Sequence, residues 1–301
     1  MRSPKIVNPG KASNGPCKLS GAAILVANKI RHAIMGYRTP RPFGSEEIDR
    51  AVEYDFSVVD GLLDCLSDYC RGATDLSGKR VLELGPGADM GVGLILLATG
   101  AGGYTAFDVH NLADTAGSEF YDRLLEQLSD RADADELRSQ LALLKDGAPD
   151  RLCYRCERNF DMSVLPEQSV DLIVSQAAFE HFDDPRRTIE QMSALAAPGA
   201  MLVCEIDLAT HTRWIRDRDP LNIYRYGDGF YNAMKFRGSP NRVRPREYKK
   251  MLADAGWEDV RQVPLAVLDE ERLAEVQPAL ARRFREDADM RCLSIAICAR
   301  I

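Results

Sequence analysis

The sequence predicts an α/β fold built on a doubly wound, mostly parallel sheet of seven strands. Three observations carry this. Short apolar runs alternate with helical patterns from Lys79 onward, the signature of a sheet flanked by helices. The first run ends in an acid and a two-glycine turn that opens into a helix. A chain of 301 residues is long enough for one large α/β domain with an attached cap.

Residues 1–17, rich in Pro, Gly, Ser, Asn and Lys, read as a loose terminus. Leu19, Ala22, Ala23, Val26, Ile30, Ala33 and Ile34 follow helical spacing, so the stretch ending at Met35 is an amphipathic helix. A Pro-punctuated connector, 37–43, leads to a second helix that starts near Ser45, with Glu46 and Glu47 in its first turn, and runs through Leu62, Leu63 and Leu66. Tail and helices form an N-terminal cap over 1–77. The strands expected are 80–84, 104–109, 151–155, 170–175, 200–206, 259–263 and 292–300. The helices between them are 91–99, 117–128, 185–195 and 245–255, with one more around 270–283.

Composition narrows the function. Lys and Arg number 39 against 46 Asp and Glu, a net charge of −7, which argues against a partner of nucleic acid bound through overall charge. No stretch reaches the roughly 20 apolar residues of a membrane span, and no small-residue cleavage site closes an apolar core as in a secretory signal. The eight cysteines lie mostly in apolar runs, which points to reduced thiols and a cytoplasmic location. Cys153 and Cys156 have metal-ligand spacing, but no second pair accompanies them. The charge is uneven: 208–250 holds eleven Lys/Arg and four Asp/Glu, which leaves −14 on the remainder.

The most informative stretch is Val81-Leu-Glu-Leu-Gly-Pro-Gly-Ala-Asp-Met-Gly91. Glycines in a strand-to-helix turn let a ligand approach the backbone closely. A dinucleotide loop would read Gly-x-Gly-x-x-Gly, and Met90 stands at its third glycine. Glu83, at the strand end, suits an ammonium or sulfonium ligand better than a pyrophosphate. The second strand ends in Asp108, where a carboxylate accepts from both ribose hydroxyls.

These residues resemble the class I S-adenosylmethionine-dependent methyltransferases, in particular the bacterial small-molecule group with a generic methyltransferase domain and a Rossmann-like sheet. The acid-x-Gly-x-Gly pattern fits Glu83-Leu-Gly85-Pro-Gly87, with Asp89 in place of a third glycine and available as a helix cap. Asn159-Phe-Asp161-Met162 before the fourth strand, Ser175-Gln-Ala-Ala-Phe-Glu-His181 after it and Ala197-Pro-Gly-Ala-Met-Leu-Val203 continue the resemblance in order. The resemblance implies that the cofactor is S-adenosyl-L-methionine. Glu83, Gly85 and Gly87 would hold its amino-acid end and ribose, and Asp108 the ribose hydroxyls. Val109 would pack on adenine, Asp161 accept from its amino group, and the Met162 amide face a ring nitrogen. Ser175 and Gln176 would lie near the methionine moiety.

Aligning the acceptor with the methyl group is a major part of in-line transfer, and a hydroxyl acceptor also needs a base. His181, just past the fourth strand, is the candidate base, with Asp207 and His211 at the crevice edge. Glu180, His181, Asp207 and His211 are ligand types that suit a divalent ion, but no metal is expected. The family resemblance also makes 208–250 a lid that carries the acceptor. Seven of the 22 aromatics lie there, among arginines able to clamp an anion. Tyr224, Tyr226, Arg242 and Arg244 are therefore expected to bind an anionic small molecule, methylated at oxygen. Three alternatives stay open: a cofactor-binding module without turnover, a nicotinamide-dependent oxidoreductase on a similar sheet, and a membrane-peripheral enzyme that uses the 19–35 helix.

Overall fold

The computed structural model describes residues 3–10, 13–37, 43–112 and 114–301. Most of the expected 37–43 connector lies outside them. Eight strands form a single sheet: β1 (Lys5–Val7), β2 (Arg80–Leu84), β3 (Gly103–Asp108), β4 (Leu152–Cys156), β5 (Val170–Gln176), β6 (Ala196–Asp207), β7 (Glu258–Leu268) and β8 (Cys292–Arg300). Their order is β1-β7-β8-β6-β5-β2-β3-β4, and only the pairings of β8 with β6 and β7 are antiparallel. From β2 the chain winds outward through β3 and β4, then crosses back to β5 and β6 on the other side. The carboxyl ends of β2 and β5 thus flank a topological switch point, where such sheets place their ligand crevice.

The seven expected strands are all present, and the eighth corrects the sequence reading. Lys5–Val7 pairs in parallel with Ala266–Leu268, within a terminus expected to be loose. β7 would otherwise be an open edge, and a short added strand satisfies its backbone groups.

The helices are α1 (Asn14–Met35), α2 (Ser45–Cys70), α3 (Gly91–Ala98), α4 (Ser118–Leu128), α5 (Ala134–Lys145), α6 (Pro185–Leu195), α7 (Arg213–Arg216), α8 (Asp228–Met234), α9 (Pro245–Asp254), α10 (Glu270–Val276) and α11 (Arg282–Arg285). Pro278 follows α10 in a short 3-10 turn, which splits the single helix expected over 270–283. α5 was not expected. It starts where the Asp133 side chain accepts from the amides of Asp135 and Glu136. At the start of α2, the Glu47 carboxylate accepts from the Gly44 amide at 3.0 Å.

Two cores cover the faces of the sheet. On one, Val52, Val59, Leu62 and Leu66 of α2 pack with α3, α4 and the sheet residues Val81, Val174 and Val203. On the other, Ile189 and Met192 of α6 and Leu252 of α9 meet Leu82, Ile173 and Leu202. A third cluster joins Leu221, Tyr224 and Tyr226 to Val276, Phe284 and Leu293, with Ala22 and Leu25 of α1 against it.

This third cluster is built on a buried charge pair. Arg225 donates to Asp219 from Nε and Nη2 at 2.7 and 3.1 Å, both side chains being almost fully buried. Removing one partner strands the other charge in an apolar surrounding. Asp219→Ala should lower unfolding free energy by about 3–5 kcal/mol. An added Arg225→Met should recover much of that loss, as read by denaturant titration. An Asp219→Ala protein as stable as the parent would remove the pair from the support of this cluster.

Candidate active site

The crevice is assembled from strand ends. β2 delivers Glu83 to the α2 side of the sheet and then turns at Gly85, whose φ is +71°. A Cβ at Gly85 would stand 2.6 Å from that of Ala178, so the position demands glycine for conformation and for space. Asp89 accepts from the Gly91 amide at 2.9 Å and caps α3. Asp108 ends β3 and accepts from the His110 amide at 2.9 Å, and partial burial raises its pKa. Val109 follows it, half-buried.

Beneath α2 lies an acid cluster. Glu83 is buried and accepts from the Tyr104 hydroxyl. Burial raises its pKa to about 7, with Tyr104 opposing the shift and Asp89 adding to it. Asp55 of α2 is buried too, and its Oδ2 has no hydrogen-bond partner. Burial, then the adjacent Asp89 carboxylate, push the Asp55 pKa far up, and burial raises that of Asp89. A Cβ on Gly91 would collide with the Asp55 carboxylate. Sequence reasoning missed Asp55. One signal was available, an acid within the apolar stripe Val52, Val59, Leu62, Leu66 of a helix.

The donor set fits the expected cofactor. Two buried carboxylates and the partly buried Asp89, with no Lys or Arg of the described residues among the charges acting on them, suit a ligand carrying an ammonium and a sulfonium.

Other expected cofactor residues are tied within the protein. Ser175 is buried and donates to the Leu84 carbonyl at 2.8 Å, a cross-strand tie below the crevice. Gln176 reaches Glu205 on the neighbouring strand. Asp161 accepts from the Ser163 amide and from Gln191 Nε2 at 2.6 Å, with Arg187 at 3.3 Å. Met162 is buried, and its amide donates to Gln191 Oε1 at 3.4 Å.

The expected catalytic residues come together. After Gln176 the chain turns through Ala177 at φ +49° into a 3-10 turn, Phe179–His181. Glu180, His181 and His211 each bring a side-chain nitrogen or oxygen within 4.8 Å of the others. The His181 and His211 rings meet edge to face at 4.7 Å. His181 Nδ1 lies 2.7 Å from the Gly238 carbonyl, and His211 Nδ1 3.0 Å from that of Ala209. A carbonyl only accepts, so both Nδ1 atoms carry a proton. His211 Nε2 faces Glu180 at 3.6 Å and Asp207 at 4.0 Å. Glu180 is buried, and neither of its oxygens has a hydrogen-bond partner. Asp207 also pairs with Arg216 and accepts from the Ala209 amide.

Burial lowers the His181 pKa, against the pull of Glu180 and with the help of His211. Burial acts the same way on His211, but Glu180 and Asp207 outweigh it and its pKa is raised. The pair is thus split into a neutral His181 and a more readily charged His211.

The four residues of 208–250 expected to bind the acceptor are engaged with other parts of the protein. Arg242 donates to the carbonyls of Ile223 and Tyr226 and to Asp228, and Arg244 to the Tyr224 hydroxyl and the carbonyls of Asp289 and Cys292. Tyr224 donates to the Leu208 carbonyl, and Tyr226 to that of Lys18 on α1. All four side chains are buried. Arg216, Arg237, Arg246 and Lys250 pair outside the basic segment with Asp207, Asp183, Asp289 and Asp254. A separate cavity of about 480 Å³ lies between α2 and β6, β7 and β8, and Glu205 in its wall links it to Gln176.

Among solved structures the chain is similar to the CurJ carbon methyltransferase, at 15% identity over 95% of this chain and 67% of that one, with a TM-score of 0.47. An S-adenosylmethionine-dependent methyltransferase from Mesorhizobium loti matches at 14% over 81% and 100%, with a TM-score of 0.44. One from Aquifex aeolicus matches at 18% over 86% and 99%, with a TM-score of 0.42. No curated protein matches. The family model for a methyltransferase domain matches residues 53–262, well over half of the chain. The chain therefore belongs to the methyltransferase-domain family, and it is an S-adenosylmethionine-dependent methyltransferase.

Proposed function

We propose that this enzyme methylates a hydroxyl of a small molecule, with His181 as the base. The observation that supports this best is the state of one ring: Nδ1 of His181 is held by the Gly238 carbonyl, and burial keeps the imidazole neutral. Its Nε2 is left with a lone pair. S-adenosylmethionine, when bound, supplies a methyl group on a positively charged sulfur. His181 Nε2 takes the proton of the acceptor hydroxyl as the oxygen attacks. Glu180 and Asp207 then hold positive charge on the two imidazoles, with Glu180 nearer His211.

We further propose that Asp55, Glu83 and Asp89 receive the cofactor's ammonium end and that Asp108 takes its ribose hydroxyls. Val109, Asp161 and Met162 border the adenine, with Gln191 setting the orientation of Asp161. An anionic acceptor loses its argument, because the arginines that suggested it hold the lid together. A crevice with Glu180 and Asp207 beside one chargeable histidine favours a neutral acceptor. Labelled methyl transfer to paired neutral and carboxylated hydroxyl compounds tests this, and preference for the carboxylated members would reverse it.

His181→Asn should lower kcat by about 10²–10⁴-fold while the affinity for S-adenosylmethionine, measured by calorimetry, stays unchanged. The parent's kcat/KM should rise with pH through a value below 6.5 and then level. A variant with parental kcat would dismiss His181 as base, and loss of activity on chelation would assign the cluster to a metal instead.

The acid cluster makes a separate prediction. Carboxyl groups held protonated by burial ionise when a cation arrives, so cofactor binding near pH 7 should release protons and tighten as pH rises. Calorimetry in buffers of different ionisation heat reads this directly. Asp55→Asn should diminish the release and weaken binding about tenfold or more. Binding with no proton exchange would separate Asp55 from the ammonium. Asp108→Ala should also weaken binding strongly, and unchanged affinity would remove Asp108 from the site.

A further inference from the structure

α1 has two dissimilar faces. Its inner face docks on the lid: Ala22 and Leu25 join the lid core, Asn222 Nδ2 donates to the Cys17 carbonyl at 2.8 Å, and His32 stacks on Phe236 at 4.3 Å. At about 100° per residue, Leu19, Ala23, Val26, Ile30, Ala33 and Ile34 share the opposite face. That face is open to solvent: Leu19 is 75% exposed, Val26 38%, Ile30 54% and Ile34 78%. Lys18 and Lys29 border the stripe on one side and Arg31 on the other.

The charge of the sequence that contains this helix is one-sided. Residues 1–44 hold eight Lys/Arg and no Asp or Glu, which leaves −15 on the rest of the chain. An apolar helical stripe bordered by basic residues lies in the plane of a membrane interface, and each basic group near an anionic surface adds attraction. The acidic remainder is repelled by the same surface, so the two effects choose one orientation. A second copy suits the stripe less well, because a two-fold contact would bring together the basic residues that border it on each copy. No helix among the described residues is long and apolar enough to cross a membrane.

We propose that the outer face of α1 docks this protein on an anionic phospholipid surface. The helix ends beside the cofactor crevice: Tyr37, just past Met35, stacks on His110 at 3.5 Å, two residues beyond Asp108. Docking therefore sets that end of the crevice close to the bilayer, where an amphiphilic acceptor would be concentrated.

Flotation of the full chain tests this, with vesicles of phosphatidylcholine alone and of equimolar phosphatidylcholine and phosphatidylglycerol. The chain should float with the anionic vesicles, fail to float with the neutral ones, and be released by salt. Ile30→Glu with Ile34→Glu should reduce flotation at least about tenfold with an unchanged circular dichroism spectrum and melting temperature. Lys18→Gln with Arg31→Gln should weaken it less. Failure to float with anionic vesicles overturns the proposal, as does flotation indifferent to the glutamates. A dimer in sedimentation that the glutamates dissolve would also overturn it, giving the face to a second copy.

Discussion

Burying carboxylates without a counter-cation among the described residues is the constraint around which the β2 side of the crevice is arranged. Glu83, Asp55 and Asp89 stand beneath α2, where ionisation is costly. The apolar packing of α2 on α3 and α4 offsets that cost and keeps water from it. The same packing explains why a helix outside the nucleotide-binding motif is needed. Without α2 the strand ends of β2 and β5 would be open to solvent, and Glu83 would lack the burial that raises its pKa. The family match begins at residue 53, so Asp55 lies within the shared domain even though the sequence suggested an appended cap.

The basic segment 208–250 obeys a different logic. Arg225 and Arg242 pair within this segment, with Asp219 and Asp228, and Arg216, Arg237 and Arg246 pair across its boundary, with Asp207, Asp183 and Asp289. The +7 of this segment is thus largely an internal adhesive between it and an acidic body. Arg242 also lies over the Tyr231 ring at 3.8 Å, so the interleaving of aromatics and arginines is the signature of a packed, cation-lined interior. This adds rigidity behind His181, whose Nδ1 is fixed by the carbonyl of Gly238.

Much of the fold was legible because strand and helix periodicity are local. β2 and β8 run over the expected residues, and so does α6. The glycines at 85 and 87 marked the turn for the same reason, and the meeting of His181, Asp207 and His211 follows from the rule that strand ends converge on a crevice. Long-range pairing was not legible. β1 exists because β7 leaves an edge 261 residues later, and nothing in its three residues announces that. Asp55 looked like one polar residue on a long helix. Arg242 and Arg244 had the composition of an anion clamp, and composition does not report which donors already have carbonyl partners.

The contact between Gly91 and Asp55 has a consequence for descent. The backbone at Gly91 lies so close to the Asp55 carboxylate that a methyl group there would overlap it. The two positions, on different helices, are one unit of heredity in physical terms. A lineage that replaces Asp55 with a smaller residue frees position 91 to vary, and one that retains the acid holds position 91 at glycine. Paired change at 55 and 91 among descendants of this sequence would record where the buried acid was kept and where it was abandoned.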